Sequence, residues 1–317
     1  MNSTTIIRLG ARGSALSRWQ VEWVAAQLTA AGYIVQMELI KTGGDLSSQP
    51  IATFGERGVF TKEIQRAVLD RRVDVAVHSL KDLPTEPVDG MGLVAVPPRE
   101  SPFDLFLSRA GLALRDLPER ARVGTGSRRR QAQLLHWRPD LQVEEIRGNV
   151  ETRLRKLDDG EYDAIVLAEA GLRRLGLADR ATHRLEPSQM LPAIGQGALG
   201  IEARLDDEPT RTALQVLQDP ATFAAVTAER SLLATLRGGC LAPVGGWARL
   251  EGDQLRLEAV VLSLDGRERL YATANADPQQ AIQLGQQVAE QLQAAGSDRL
   301  IEQARPANTS STELRLP

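Results

Sequence analysis

The chain has 317 residues, of which 42% are hydrophobic and 25% charged, and its formal net charge is −3. This length predicts two or three domains, and the composition is that of a soluble globular protein. The slightly negative charge argues against a nucleic-acid partner, and no apolar run approaches the roughly 20 residues of a membrane span.

A strand, a glycine turn and a helix start are predicted at residues 6–14, with the helix running to about Ala31. The same order of features returns at residues 122–127, before three arginines and a second helical stretch. Residues 69–77 and 157–166 form another matching pair, each with a helix end, a turn and a buried strand. These echoes predict two related α/β lobes, with largely parallel sheets covered on both faces.

Prolines mark the predicted crossings between the lobes. Pro97, Pro98 and Pro102 disfavour a helix or a central strand, and a second crossing is predicted near residues 191–197. Asp219-Pro220 is typical of a helix start and opens a third unit. The predicted domains are lobe 1 (1–98 and 197–217), lobe 2 (103–192), a C-terminal domain (219–304) and a flexible tail (305–317).

Three helix starts carry arginines. Ser14 and Ser127 stand at N-cap positions, beside Arg12 and residues 128–130. A third start at residues 147–149 has Asn149 as its predicted cap and is followed by Arg153. Free backbone N–H groups at helix starts favour anions, and guanidinium groups bind carboxylates or phosphates in pairs of hydrogen bonds. A solvated basic surface is the alternative. Three such starts over two lobes predict a ligand with several carboxylates or phosphates in the cleft.

A polar loop follows the apolar strand at residues 73–77. It places Ser79, Lys81 and Asp82 beyond the carboxyl end of the strand, where open α/β sheets bind ligands. Asp82 could stabilise a cationic intermediate or transfer a proton, and the alternative is a turn cap. His78 is interpreted as a hydrogen-bonded core histidine.

Cys240, the single cysteine, lies in the glycine-rich stretch 236–245 between a helical run and a strand-like one. It cannot form an internal disulfide, and with three scattered histidines it predicts no metal site. An inert buried residue, a nucleophile and an attachment point remain open, and the turn alone favours the inert interpretation. One unpaired cysteine and an N-terminus without signal-peptide features predict a cytoplasmic protein.

The chain resembles the porphobilinogen deaminase family in motifs at residues 12–14, 58–63, 74–84, 123–127, 147–153, 191–198 and 238–240. A co-linear set is far more specific than a single motif. The resemblance implies a monomeric transferase of tetrapyrrole (porphyrin and heme) synthesis, which joins four porphobilinogen molecules head to tail, releases ammonia and hydrolyses the product to hydroxymethylbilane. It also implies two lobes like those of periplasmic binding proteins and a small C-terminal α/β domain that carries the cofactor cysteine.

By this resemblance, Cys240 holds a dipyrromethane cofactor through a thioether, and Asp82 is the catalytic aspartate. Its negative charge would stabilise the electron-poor azafulvene left when ammonia departs. Acetate and propionate groups on each pyrrole would explain the arginines. The residues assigned to cofactor or substrate binding are Arg12, Ser14, Gln20, Ser79, Lys81, Thr125, Ser127, Arg129, Arg130, Arg147, Gly148, Arg153 and Gln196.

The sequence departs from the family pattern at Thr53 and Arg57, which stand where lysines are common in the family. The competing hypothesis is a non-enzymatic binding module of the same two-lobe fold for a polycarboxylate. A secretion signal or an added DNA-binding domain would favour that module.

Overall fold

The computed structural model describes residues 6–40, 61–239 and 242–305, which form three α/β units. Within these ranges no helix is both long and apolar enough to cross a membrane. Strands and helices are numbered below in chain order.

Lobe 1 contains a five-stranded sheet in the order β2–β1–β3–β10–β4. Its strands are β1 (Ile6–Ala11), β2 (Ile34–Leu39), β3 (Val75–Ser79), β4 (Met91–Ala95) and β10 (Leu199–Arg204). Its helices are α1 (Ala15–Ala30), α2 (Lys62–Leu69) and α6 (Glu208–Leu214). Val21, Val24 and Leu28 on one face of α1 are fully buried against this sheet, so apolar burial fixes the helix there.

Lobe 2 repeats the plan with a sheet in the order β7–β6–β8–β5–β9. Its strands are β5 (Asp104–Ser108), β6 (Arg122–Gly124), β7 (Gln142–Glu144), β8 (Ala164–Ala168) and β9 (His183–Leu185). Its helices are α3 (Arg128–Trp137), α4 (Val150–Asp158) and α5 (Glu169–Arg174). The predicted relation between the two lobes is therefore visible in their strand orders.

Both sheets are mixed, which corrects the expectation of largely parallel sheets. In lobe 1, β1 pairs in parallel with β2 and β3, whereas β10 runs antiparallel to β3 and β4. In lobe 2, β6 pairs in parallel with β7 and β8, whereas β5 runs antiparallel to β8 and β9. β5 and β10 are the strands that follow a crossing. A strand entering from the other lobe needs no helical crossover and can run against its neighbours.

The two crossings touch each other between the lobes. Gly197 has a φ of 89°, and a Cβ there would lie 2.3 Å from the carbonyl oxygen of Glu100. Any side chain at this position would push the crossings apart, so glycine is required by both backbone conformation and space.

The C-terminal domain is a three-stranded antiparallel sheet covered by helices. It contains α7 (Pro220–Thr235), β11 (Val244–Glu251), β12 (Gln254–Leu262), β13 (Arg269–Ala276), α8 (Ala281–Ala294) and α9 (Ser297–Gln303). Asp219 caps α7 as predicted, accepting a hydrogen bond from the Thr222 N–H. A Cβ on Gly285 would lie 2.3 Å from the Ala228 carbonyl oxygen. The glycine inside α8 thus permits close packing on α7.

One buried carboxylate joins all three units. Glu229 on α7 is fully buried and accepts hydrogen bonds from Arg99 Nη1 at 2.6 Å, the Gly195 N–H at 2.7 Å and the Ala248 N–H at 2.8 Å. Arg99 lies on the first crossing, Gly195 on the second and Ala248 on β11. The ion pair and two backbone bonds compensate for burying the charge.

We expect Glu229→Gln to destabilise the protein by about 3–5 kcal/mol, because the buried Arg99 guanidinium loses its counter-charge. Thermal unfolding at fixed protein concentration measures this effect. Glu208→Gln is a matched control, since Glu208 forms an exposed pair with Arg211. Equal melting temperatures for both variants would contradict the structural role of Glu229.

Candidate active site

Asp82 lies at the end of a single 3-10 turn, Leu80–Asp82, directly after β3. The Leu80 N–H donates to the Ala198 carbonyl at 3.0 Å, and the side chains of Leu80 and Leu83 are buried. Asp82 itself is exposed. Apolar anchors on both sides therefore fix the turn and leave the carboxylate free to meet a ligand.

The lobe 1 wall of the site gathers the predicted residues around Asp82. Arg12, Ser14, Gln20 and Ser79 line one pocket with it. Gln20 Nε2 donates to Ser79 Oγ at 2.7 Å. Ser14 caps α1 as predicted, accepting from the Ser17 N–H, so the positive end of the helix dipole faces this pocket.

The lobe 2 wall is built on a buried aspartate that sequence reasoning missed. Asp104 on β5 is fully buried, with Oδ2 at 2.8 Å from Arg129 Nη1 and Oδ1 at 2.7 Å from Arg130 Nη2. The two guanidinium groups outweigh burial and hold the pKa of Asp104 far below its usual range. Burial lowers the pKa of Arg129, although the charge of Asp104 opposes this. The sequence contained one signal for this aspartate, since it stands directly before the apolar residues 105–107.

Arg129 and Arg130 differ from solvent-exposed cleft arginines. Arg129 also donates to the Leu191 carbonyl at 2.7 Å, and Arg130 to the Val166 carbonyl at 3.0 Å. Both side chains are buried. Much of their donor capacity is therefore committed to the protein, and direct contact with a ligand carboxylate stays a prediction for both.

Lys81 and Arg153 bring positive charge close to Asp82. Burial lowers the pKa of Lys81 to about 8, with Asp82 opposing the shift and Arg130 adding to it. Burial likewise lowers the pKa of Arg153 to about 10, with Arg130 and Arg147 adding to the shift and Asp82 opposing it. Charges from both lobes therefore act on the space around Asp82.

The other helix starts of lobe 2 have the predicted caps. Ser127 Oγ accepts from the Arg130 N–H, and the Asn149 side chain accepts from the Thr152 N–H at 2.9 Å. Thr125 is buried and its Oγ1 accepts from the Ser127 N–H at 3.2 Å. These contacts shape the two loops, and the binding role of Thr125 and Ser127 stays a prediction.

The Arg147–Gly148 loop approaches its helix closely. Gly148 has a φ of 110°, and a Cβ there would meet Thr152 Cγ2 at 2.6 Å. Arg153 Nε donates to the Gly148 carbonyl at 2.9 Å, and Arg147 pairs with Glu145. Glycine is therefore needed to keep the loop with Arg147 close to the first turns of α4, which carry Arg153.

Two predicted polar residues are buried in protein contacts. Gln196 on the second crossing is 1% exposed, and its Nε2 donates to the Pro102 carbonyl at 2.7 Å and to Asp104 Oδ1 at 2.9 Å. His78 is also buried, with Nε2 3.0 Å from Glu202 Oε2. The predicted burial of His78 is confirmed, although His78 also lines the pocket around Asp82. Ligand binding by Gln196 stays a prediction.

Arg174 is a second residue that the sequence did not single out. Its Nη2 donates to the Gly197 carbonyl at 2.7 Å, and its guanidinium lies 5.7 Å from the Trp19 ring centroid. Burial lowers its pKa to about 10. Arg174 therefore links α5 of lobe 2 to α1 of lobe 1.

Cys240, Thr53 and Arg57 lie outside the described residues. The strand that follows Cys240 is nevertheless close to the arginines, because the Gly246 N–H donates to the Pro192 carbonyl at 2.9 Å. The adjacent Leu191 carbonyl accepts from Arg129. β11 is thus joined to the Arg129 region through two consecutive residues of the second crossing.

Comparisons with known proteins cover nearly the whole chain. Residues 7–212 match a family model described as "Porphobilinogen deaminase, dipyromethane cofactor binding domain", and residues 223–294 match "Porphobilinogen deaminase, C-terminal domain". The porphobilinogen deaminase of Acidithiobacillus ferrooxidans is 49% identical over 305 residues, which are 95% of this chain and 99% of that protein. The enzyme of Syntrophobacter fumaroxidans is 46% identical over 301 residues, 94% and 97% of the two chains.

Among solved structures, a nutrient binding protein from Burkholderia cenocepacia bound to methionine is similar with a TM-score of 0.43 and 14% identity. The match covers 72% of this chain and 95% of that one.

Proposed function

Because this chain belongs to the porphobilinogen deaminase family, we propose that Asp82 and the arginines around it perform the family's reaction here. In that reaction four porphobilinogen molecules are joined head to tail, ammonia is released and the product is hydrolysed to hydroxymethylbilane. We further propose that the protein is a transferase that acts as a monomer in the cytoplasm.

One observation carries the assignment of roles, namely an exposed carboxylate between cationic walls from two lobes. When ammonia leaves the aminomethyl group of the substrate, positive charge develops on the pyrrole, partly at its N–H. Asp82 is the acidic residue placed to meet that charge, and a fixed carboxylate lowers the barrier electrostatically. Lys81, Arg12 and Arg153 would meanwhile bind the acetate and propionate groups and orient the ring.

The arginine-rich walls also fit the dipyrromethane cofactor of the family, whose two pyrroles carry the same acidic groups. We propose that Cys240 anchors it and that Arg129, Arg130 and Ser127 hold its carboxylates. When bound, the cofactor supplies the pyrrole carbon to which the first substrate is joined. The connection from β11 through residues 191–192 to Arg129 supports this placement.

The hypothesis of a non-enzymatic binding module is supported only by distant structural similarity. Incubation of the purified protein with limiting porphobilinogen distinguishes the two functions. Ammonia release together with a ladder of covalent species, each one pyrrole heavier, is expected under denaturing mass spectrometry. Reversible substrate binding without ammonia or added mass would support the binding module.

The arginines are predicted to divide into two groups. We expect Arg130→Leu to leave protein without cofactor, because it also breaks the buried contact with Asp104. Arg147→Leu should keep the cofactor but slow elongation, since Arg147 lies on the loop before α4 and its loss leaves the buried Asp104 pairs intact. Intact mass and turnover per folded protein measure both effects, with Arg155→Leu, an exposed arginine of α4, as the matched control. Normal cofactor content and turnover in both variants would indicate a merely solvated basic surface.

Lys81 should make substrate affinity depend on pH. Burial lowers its pKa to about 8. The side chain therefore carries its positive charge below that pH and loses this charge as the pH rises through it. We therefore expect KM for porphobilinogen to rise between about pH 7 and about pH 9. Lys81→Met carries no charge at either pH and should show a smaller rise. An identical KM profile in the two proteins would rule out Lys81 as the titrating group.

A further inference from the structure

Arg230 of the C-terminal domain contacts the backbone next to Asp82. Its Nη1 donates to the Leu83 carbonyl at 3.0 Å and its Nη2 to the Pro84 carbonyl at 2.7 Å. These are the two residues that directly follow Asp82. The guanidinium is partly buried, and this burial lowers its pKa. A bidentate contact with consecutive carbonyls fixes both the position and the direction of the backbone.

The same helix supports the turn through apolar contacts. Val226 on α7 is fully buried in one cluster with Leu80 and Leu83, and Phe223 packs against this cluster. Arg230 follows Val226 by one helical turn, so both face the Asp82 turn. The C-terminal domain therefore contacts this part of lobe 1 through both hydrogen bonds and apolar side chains.

α7 also lies next to the cysteine segment along the chain. α7 ends at Thr235, five residues before Cys240. One helix thus contacts the Asp82 turn and also leads directly to the segment with the lone cysteine.

We propose that Arg230 is a positioning residue for catalysis, which holds the Asp82 carboxylate in place from the C-terminal domain. This inference rests on the role proposed above for Asp82. Arg230 does not line the pocket around Asp82 and acts through the Leu83 and Pro84 carbonyls. Its loss should therefore affect the rate of the chemical step more than substrate binding.

The test compares three variants of the holoenzyme. Arg230→Met keeps the length of the side chain and removes both donors, Arg230→Lys keeps the charge, and Arg299→Met removes an arginine of the same domain that pairs with Glu268. We expect Arg230→Met to retain the cofactor and to lose kcat on the order of 10²-fold, the scale of a misplacement of about 1 Å. KM should change by less than about threefold, Arg230→Lys should recover part of the rate, and Arg299→Met should match the wild type.

A double-mutant cycle with Asp82→Asn shows whether Arg230 acts through Asp82. If it does, the double variant should be no slower than Asp82→Asn alone. Independent, multiplicative losses, or an unchanged kcat per holoenzyme in Arg230→Met, would overturn the proposal. A near-normal rate in Asp82→Asn would instead refute the role of Asp82. If Arg230→Met does not fold, the same cycle with Arg230→Lys decides between these outcomes.

Discussion

Asp82→Asn is expected to lower kcat by about 10²–10³-fold, the cost of removing one fixed group that stabilises transition-state charge. The amide keeps the shape of the side chain but carries no negative charge to meet the developing cation. Because Asp82 is exposed and its turn is held by Leu80 and Leu83, the fold should be unchanged. Steady-state turnover per holoenzyme, with cofactor content from intact mass, measures the effect.

The matched control for this experiment is Asp89→Asn. Asp89 is an exposed aspartate of the same lobe, seven residues further along the chain. Its variant should turn over normally. Equal rates for the two variants would refute the assignment of Asp82.

Cys240→Ala is expected to abolish activity, because the cofactor would have no anchor and the product chain no attachment point. The wild-type protein should exceed its sequence mass by two linked pyrrole units under denaturing conditions, and this excess should be absent from Cys240→Ala. Since Cys240 is the single cysteine of the chain, no other thiol can replace it. Asp82→Asn serves as the control and should retain the added mass. An active wild type without any added mass would refute the attachment.

Local features of the fold could be predicted from the sequence because they depend on neighbouring residues. The caps at Ser14, Ser127, Asn149 and Asp219 were all correct, since a capping side chain reaches a backbone N–H only two or three residues away. The mixed sheets were missed for the opposite reason. Strand direction at β5 and β10 depends on how the chain returns between lobes, which no local pattern records.

The site divides in the same way. The positions of Ser79, Asp82 and Arg12 at a strand end or just before a helix predicted that they lie near one another, and the three line one pocket. Asp104 and Arg230 were missed because their partners are distant in sequence, and Arg230 reaches a carbonyl 147 residues away. Burial changed the interpretation of Arg129 and Arg130, whose pairing with one carboxylate could not be read from three adjacent arginines.

The place of β10 between β3 and β4 has a consequence for synthesis on the ribosome. The sheet of lobe 1 cannot be completed until β10 has left the ribosome. All of lobe 2 is synthesised before β10. At bacterial or eukaryotic rates, the roughly one hundred residues between β4 and β10 take on the order of 10 s to translate. During that interval the edges of β3 and β4 that later pair with β10 have no partner, and they expose apolar surface to other nascent chains. We therefore expect a chaperone that binds nascent chains to protect the N-terminal third of this protein during that interval.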